Sequence, residues 1–188
     1  MPKREYARFK TEGEFLKAVL RSLPFDVYPR VTAIGGRKIH PDIDILQIKR
    51  ISQHQYRLIG YELKLIKFDK RSKGLSWNAF YTGIGQALLY LKNGVHQAFL
   101  LLGFHENIST DEFIDTFRDW LWKYKELIAR IVSNYISIGI YLYERGGISA
   151  IIEAFLDFYP SNKEIQLLSE ELLQRKFTFD KRLKGEVK

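Results

Sequence analysis

Charged residues interrupt two neighbouring runs of apolar residues, and their types and spacing suit metal binding. The first run contains Asp42 and Asp44 directly after Pro41, and the second contains Glu62 and Lys64. Side chains alternate across a strand, so the members of each pair share one face of their strand. If the two strands pair around the polar stretch between them, one of the aspartates comes opposite Glu62. Charges on strands this apolar are costly unless they are paired or bind a metal ion.

Two carboxylates and a backbone carbonyl, that of Leu63, would supply the hard oxygen ligands that Mg²⁺ or Mn²⁺ prefers. A metal ion so held activates water and neutralises charge on a phosphate group. A neighbouring lysine orients or deprotonates that water, or stabilises the transition state. The pattern therefore predicts phosphodiester hydrolysis. The alternative is a solvated hairpin whose charges form ordinary cross-strand ion pairs.

The elements that must position these residues follow from hydrophobic periodicity and turn signals. Helices are predicted over residues 12–22, 76–92, from 109 or 110 to about 133, and 162–175, and strands over residues 26–34, 40–48, 56–66, 97–104, 136–143 and 148–154. Strands 40–48 and 56–66 should form an antiparallel hairpin. The order predicts an α/β domain with a mixed central β-sheet and helices on its faces, in three layers. We expect a basic, flexible segment at 1–10, one domain at 11–175, and a basic tail at 176–188.

The composition of the chain favours some classes of function and excludes others. The chain has 30 basic and 22 acidic residues, a net charge of +8, which favours a polyanionic partner such as nucleic acid. It has no cysteine, which excludes disulfides, thiolate zinc sites and cysteine nucleophiles. No apolar run is long enough for a signal peptide or a membrane span, so a cytoplasmic location and no membrane partner are expected. No phosphate-binding loop of the Gly-Lys-Ser/Thr type is present, so ATP is not expected as a ligand.

The ordered residues resemble the PD-(D/E)xK nuclease superfamily. Pro41-Asp42 is followed some twenty residues later by Glu62-Leu63-Lys64 on the next strand. The resemblance implies a restriction-endonuclease-like fold and a Mg²⁺-dependent deoxyribonuclease, in which the first-strand aspartate and the glutamate bind the metal and the lysine assists the chemistry. The position after Pro41 favours Asp42 as the main ligand, with Asp44 as the alternative.

Two further features resemble the RecB-like and archaeal resolvase-like branches of that superfamily. One is a glutamate in the first helix, Glu14, and the other is Gln86-x-x-x-Tyr90 in the helix after the second charged strand. The resemblance implies that Glu14 adds a metal contact, and that Gln86 and Tyr90 support the site or contact DNA. It also implies, by analogy with resolvases, a homodimer. The rival interpretation of Glu14 is a capping box with Thr11.

A basic stretch directly follows the second charged strand. Lys67, Lys70, Arg71 and Lys73 would meet DNA phosphates where a substrate enters the site, or form a plain solvated loop. Trp77 and Tyr81 could stack on bases, although core packing is the simpler interpretation. A non-catalytic nucleic-acid-binding protein that keeps the nuclease fold remains the alternative function.

Overall fold

The protein is described by a computed structural model that covers residues 6–24, 26–34, 37–51, 56–132, 138–144, 147–153 and 178–179. The helices are α1 (Glu12–Ser22), α2 (Asn78–Lys92) and α3 (Asp111–Val132). The strands are β1 (Arg8–Phe9), β2 (Val27–Ile34), β3 (Arg37–Arg50), β4 (Tyr56–Ile66), β5 (Phe68–Asp69), β6 (Gly74–Leu75), β7 (Gln97–His105), β8 (Ile138–Glu144), β9 (Gly147–Ile152) and β10 (Thr178–Phe179). The predicted α/β class, with a mixed central sheet flanked by helices, is confirmed. The helix expected at 162–175 lies outside the described residues.

The central sheet has the strand order β10-β2-β3-β4-β7-β8-β9. Strands β2, β3 and β4 form an antiparallel meander, and the predicted hairpin of β3 with β4 is present. Strands β4, β7 and β8 are parallel, with α2 lying on the connection from β4 to β7. A parallel pair needs such a crossover, so helix α2 is carried over the sheet next to the charged residues of β4.

The two faces of the sheet pack against different helices. Strand β7 is apolar almost throughout because both of its faces are covered. The face towards α1 packs around Phe15 and Leu16, and the opposite face packs against α2 and α3 through residues such as Phe80 and Phe117. No helix in the described part of the chain combines the length and the apolar character needed to cross a bilayer.

Short segments from the regions expected to be a flexible N-terminal segment and a basic tail pair with the sheet where the structure describes them, at residues 8–9 and 178–179. Arg8 and Phe9 pair with the last two residues of β7, and Tyr6 is buried and donates a hydrogen bond to Asp115 at 2.5 Å. The basic composition of positions 1–10 concealed these contacts, which are made by the rings of Tyr6 and Phe9, by backbone pairing and by an ion pair of Arg8 with Asp111. Within the expected tail, residues 178–179 form β10 on the edge of β2.

Gly83 and Gly85 of α2 differ in how closely their surroundings pack against them, so replacing each with alanine gives a matched test of stability. A Cβ atom added at Gly83 would lie 2.4 Å from Leu100 Cδ1 and 3.0 Å from Lys64 Cγ, whereas one added at Gly85 would meet nothing within 4 Å. Gly85→Ala is expected to stabilise the protein by about 1 kcal/mol through helix propensity. Gly83→Ala gains the same propensity but overpacks the helix–sheet contact, so its free energy of unfolding should fall about 1–3 kcal/mol below that of Gly85→Ala. Urea denaturation measures both, and equal values would show that α2 does not need the close approach at Gly83.

Candidate active site between strands β3 and β4

The charged residues gather where the antiparallel ladder of β3 and β4 ends. The last paired residues are Ile45 and Tyr61. Beyond them, a carboxylate oxygen of Asp44 accepts a hydrogen bond from the backbone N–H of Leu63 at 2.9 Å. The Asp44 side chain therefore replaces the missing backbone partner between the two strands. An extended residue directs its N–H and C=O to the same edge, so the Leu63 carbonyl also faces the β3 side.

Glu62 is buried beside Asp44 and has a partner at each carboxylate oxygen. Its exposed fraction is only 2%, which is rare for an ionisable side chain. Lys64 Nζ lies 2.5 Å from Oε1, and the Tyr90 hydroxyl contacts Oε2. The Lys64 stem packs under α2 at Gly83, where the absence of a side chain makes room for it. The acidic pair and the lysine predicted from sequence are thus brought together.

Tyr90 ties the two strands together at this point. Its hydroxyl contacts the Glu62 carboxylate on β4 and lies 2.9 Å from the Asp42 carbonyl oxygen on β3. The Tyr90 hydroxyl oxygen also accepts a hydrogen bond from the backbone N–H of Asp44 at 3.3 Å. The Tyr90 ring reaches this position because β4 has a glycine beneath it: a Cβ added at Gly60 would lie 2.9 Å from Tyr90 Cδ2. Tyr90 is therefore a positioning residue for the acidic pair.

The electrostatics of the pair are those of two carboxylates kept from water. Burial, with the charge of Asp44 as the second cause, raises the pKa of Glu62 to about 7. Burial also raises the pKa of Asp44, against the lowering effect of the Leu63 N–H, Arg30 and Lys64. Each carboxylate would be ionised more readily with an additional positive charge nearby.

A divalent cation would supply that charge, so the donor chemistry of this pair fits Mg²⁺ or Mn²⁺. Over the described ranges, no group of three or more His, Cys, Asp or Glu side chains is positioned to hold a metal. A metal ion here would take Asp44 and Glu62 as its carboxylate ligands. The Leu63 carbonyl and water molecules would have to complete the coordination, as is usual for Mg²⁺ in proteins.

The aspartate that lies in this cluster is Asp44, although the sequence favoured Asp42. The Asp42 side chain is exposed, and the contact that it makes to the site is through its backbone carbonyl to Tyr90. The alternation rule placed both aspartates on one face, and the alternation of buried Pro41, Ile43 and Ile45 with the two aspartates agrees with it. The difference is distance along β3: Asp44 directly follows the end of the ladder at Ile45 and reaches Leu63, whereas Asp42 lies two residues farther out.

Glu14 forms the capping box. Its backbone N–H donates to Thr11 Oγ1 at 3.2 Å, and its carboxylate accepts the N–H of Lys10 at 2.8 Å. The α1 glutamate whose charge acts on Asp44 is Glu12, which raises the pKa of that aspartate. Sequence reasoning missed Glu12 because two glutamates share the first turn of α1. The capping-box spacing between Thr11 and Glu14 could have identified Glu14 as the capping residue. Glu12 would then have been the glutamate of this turn that could act on Asp44.

Gln86 lies one helical turn before Tyr90 and is half-buried. Its side-chain oxygen is buried, and no atom in the described part of the chain forms a hydrogen bond with it. Residues four apart share a helix face, so Gln86 is on the same side of α2 as Tyr90. An unsatisfied buried acceptor is costly, and it is available to a water molecule or a ligand group at the site.

Arg30 is a second residue that sequence reasoning missed. It lies in β2 between Pro29, which pairs with Ile45, and Val31, which pairs with Ile43. Arg30 therefore lies across the ladder from Asp44, and its charge lowers the pKa of that aspartate. The signal was available: Arg30 is a charge in an otherwise apolar strand, the same feature that singled out the aspartates of β3.

The basic stretch after β4 is a small hairpin rather than a plain loop. Strands β5 and β6 pair around a turn whose four residues, Lys70–Lys73, are all exposed, as is Lys67. The side chain of Asn107 bonds both the N–H and the carbonyl of Phe68 at 3.1 Å, which anchors the hairpin. The basic side chains are therefore exposed to solvent on a hairpin that Asn107 holds in place.

The two aromatic residues of α2 differ in exposure. Trp77 packs on α3, with its ring 4.7 Å from that of Phe117 and 4.4 Å from that of Trp120. Trp77 is therefore a packing residue, in agreement with the simpler of its two interpretations. Tyr81 is 60% exposed, so it remains available for contact with a partner.

No protein-family model matches the chain, and no curated protein matches its sequence. The chemistry of the site therefore rests on its own residues. These are a buried glutamate beside a half-buried aspartate, a lysine in contact with the glutamate, and a tyrosine that bonds to both of the strands on which they lie.

Proposed function

We propose that this protein is a metal-dependent nuclease of the PD-(D/E)xK type, with a restriction-endonuclease-like fold, that hydrolyses phosphodiester bonds in DNA. The observation that carries the proposal is that Asp44 and Glu62 lie side by side where β3 and β4 separate, with Glu62 buried, Asp44 half-buried on the Leu63 N–H, and Lys64 on Glu62. Buried charges are kept at such cost mainly where function needs them. The net charge of +8 and the exposed cations of the β5–β6 hairpin supply attraction to DNA.

The residues have distinct roles in this proposal. Asp44, Glu62 and the Leu63 carbonyl would hold Mg²⁺ or Mn²⁺, which supplies a polarised water and neutralises phosphate charge when bound. Lys64 donates hydrogen bonds from its ammonium group to the attacking water or to the phosphate oxygens. Tyr90 restrains Glu62 and the backbone of β3, so that both carboxylates stay aimed at one position. Glu12 and Gln86 lie at the margin of the site, where each can hold a water molecule.

The test is cleavage of labelled duplex, single-stranded, flapped and four-way-junction DNA with Mg²⁺ or Mn²⁺. We expect the wild type to cut at least one of them, and Glu62→Gln and Lys64→Ala each to reduce cutting to background. Matched controls are Glu112→Gln and Lys92→Ala, which remove the same charge types at exposed helix positions and should leave cleavage unchanged. Equal cutting by the wild type and by Glu62→Gln would assign the activity to a contaminant and reject the proposal.

One observation favours a second candidate, a nucleic-acid-binding protein without catalysis. Both oxygens of Glu62 are already engaged, by Lys64 and by Tyr90, so a metal ion would have to compete with existing contacts. Calorimetric titration with Mn²⁺ separates the two candidates. Binding that is lost in Asp44→Asn supports the nuclease, whereas salt-dependent DNA binding with no Mn²⁺ uptake and no cutting selects the binding protein.

A further inference from the structure

Arg30 has a backbone conformation that its surroundings must impose. Its φ angle is +51°, in the left-handed region, although it lies within strand β2. The other described non-glycine residues with positive φ, Asp26 and Lys73, lie before a strand and in a turn, where this conformation is ordinary. For a residue such as arginine it costs on the order of 1 kcal/mol. Strain of this kind is concentrated at binding and catalytic sites.

The side chain of Arg30 also has an unused donor. Its Nε is buried and has no hydrogen-bond partner among the residues that the structure describes. Among the ion pairs that the structure shows between described residues, none includes Arg30, so its charge acts on Asp44 without direct contact. A guanidinium group has five donors in one plane and cannot be deprotonated in a protein. A buried donor of this kind is left unsatisfied until an acceptor arrives.

The charged residues near Arg30 indicate which kind of hydrogen-bond acceptor its side chain could bind. Arg30 on β2 lies across from Asp44 on β3, and Lys64 contacts Glu62 on β4, so each carboxylate of the pair has a cation on its own or the adjacent strand. A group that can meet both cations while approaching a metal held by the carboxylates is an anion with several oxygens. A phosphate diester has this form, and its geometry suits the planar fork of arginine.

We propose that Arg30 binds a phosphate group of the nucleic-acid backbone beside the acidic pair, and so places the chain of the substrate on the β2 side of the site. This assignment rests on the proposed function, because it takes its ligand from the same site. A contact to the phosphate backbone of nucleic acid does not depend on base sequence, so Arg30 should contribute equally to the binding of different sequences.

The experiment measures DNA binding without metal. A labelled single strand and a labelled duplex are titrated in EDTA with the wild type, Arg30→Asn, Arg30→Lys and the control Arg21→Gln, which removes an exposed arginine on α1. Asparagine adopts the left-handed conformation readily, so Arg30→Asn removes the charge while keeping the backbone shape. We expect Arg30→Asn to bind about tenfold more weakly and to lower the slope of log affinity against log salt by about 1. Arg30→Lys should recover the salt slope but only part of the affinity, and the control should match the wild type.

The outcomes separate the two proposals. Wild-type affinity and salt slope in Arg30→Asn would overturn the phosphate contact, even if melting temperature changes, because a structural role alone does not alter counterion release. If the wild type binds DNA but cuts no substrate while Arg30→Asn shows the expected losses, the nuclease assignment fails and the Arg30 contact stands. If the wild type cuts DNA, Arg30→Asn should raise KM more than it lowers kcat, and the reverse would count against a binding role.

Discussion

Asp44→Asn is expected to lower metal-dependent DNA cleavage by on the order of a thousandfold, whereas Asp42→Asn should lower it by less than about tenfold. The reason is position. The Asp44 carboxylate lies between the strands and is coupled to Glu62, while the Asp42 side chain is exposed. Asparagine keeps an oxygen that can accept the Leu63 N–H, so Asp44→Asn removes the negative charge without removing the contact that joins the strands.

The measurement pairs initial cleavage rates with calorimetric titration of Mn²⁺ for both variants. Melting temperatures serve as the control for folding, and we expect both variants to remain folded because the aspartate hydrogen-bonding capacity is retained. A loss of metal binding in Asp42→Asn with normal binding in Asp44→Asn would reverse the assignment of the ligand. That result would agree with the preference derived from Pro41 in the sequence.

Glu62 should make the metal-free protein lose stability as the pH rises. Its folded-state pKa is about 7, above the ordinary value of 4.5, so the folded state holds a proton that the unfolded state releases. The cost of ionising it in the folded state is absent at low pH and appears as the pH rises from about 4.5 to about 7. Integrated over that window it amounts to about 3 kcal/mol. Asp44, whose pKa is also raised, contributes in the same direction.

Urea denaturation in EDTA at pH 5 and pH 8 tests this, with Glu62→Gln as the comparison. Other titrating groups are common to both proteins, so the difference in their pH dependence reports the charge of Glu62 together with its effect on Asp44. Part of the loss has already occurred at pH 5, so the wild type should lose roughly 2–3 kcal/mol more than the variant between the two pH values. Addition of Mn²⁺ at pH 8 should restore stability to the wild type but not to the variant, because a ligand stabilises only the state that binds it. Parallel pH dependence in the two proteins would show that Glu62 does not ionise at a cost.

The architecture was predictable because it depends on patterns that are local in the chain. Helical spacing of apolar residues located α1, α2 and α3, and alternation located the meander of β2, β3 and β4. Local patterns did not predict the short strands at positions 8–9 and 178–179. Two-residue strands such as β1 and β10 carry no periodic signal, and they exist because a partner strand offers unpaired backbone groups.

For the site, the sequence by itself indicated that charged residues on two apolar strands would meet if those strands paired, with Glu62 and Lys64 on one of them, while Tyr90 was linked to them only by the family resemblance. Only the tertiary structure decided which charges fill the cluster. It selected Asp44 over Asp42, left Glu14 in the helix cap, and brought Arg30 across from the aspartate. The physical reason is that residue type and spacing are properties of the chain, whereas burial depends on where a ladder stops. Two carboxylates on the same face of β3, two positions apart, differ in exposure because only Asp44 adjoins the end of the β3–β4 ladder.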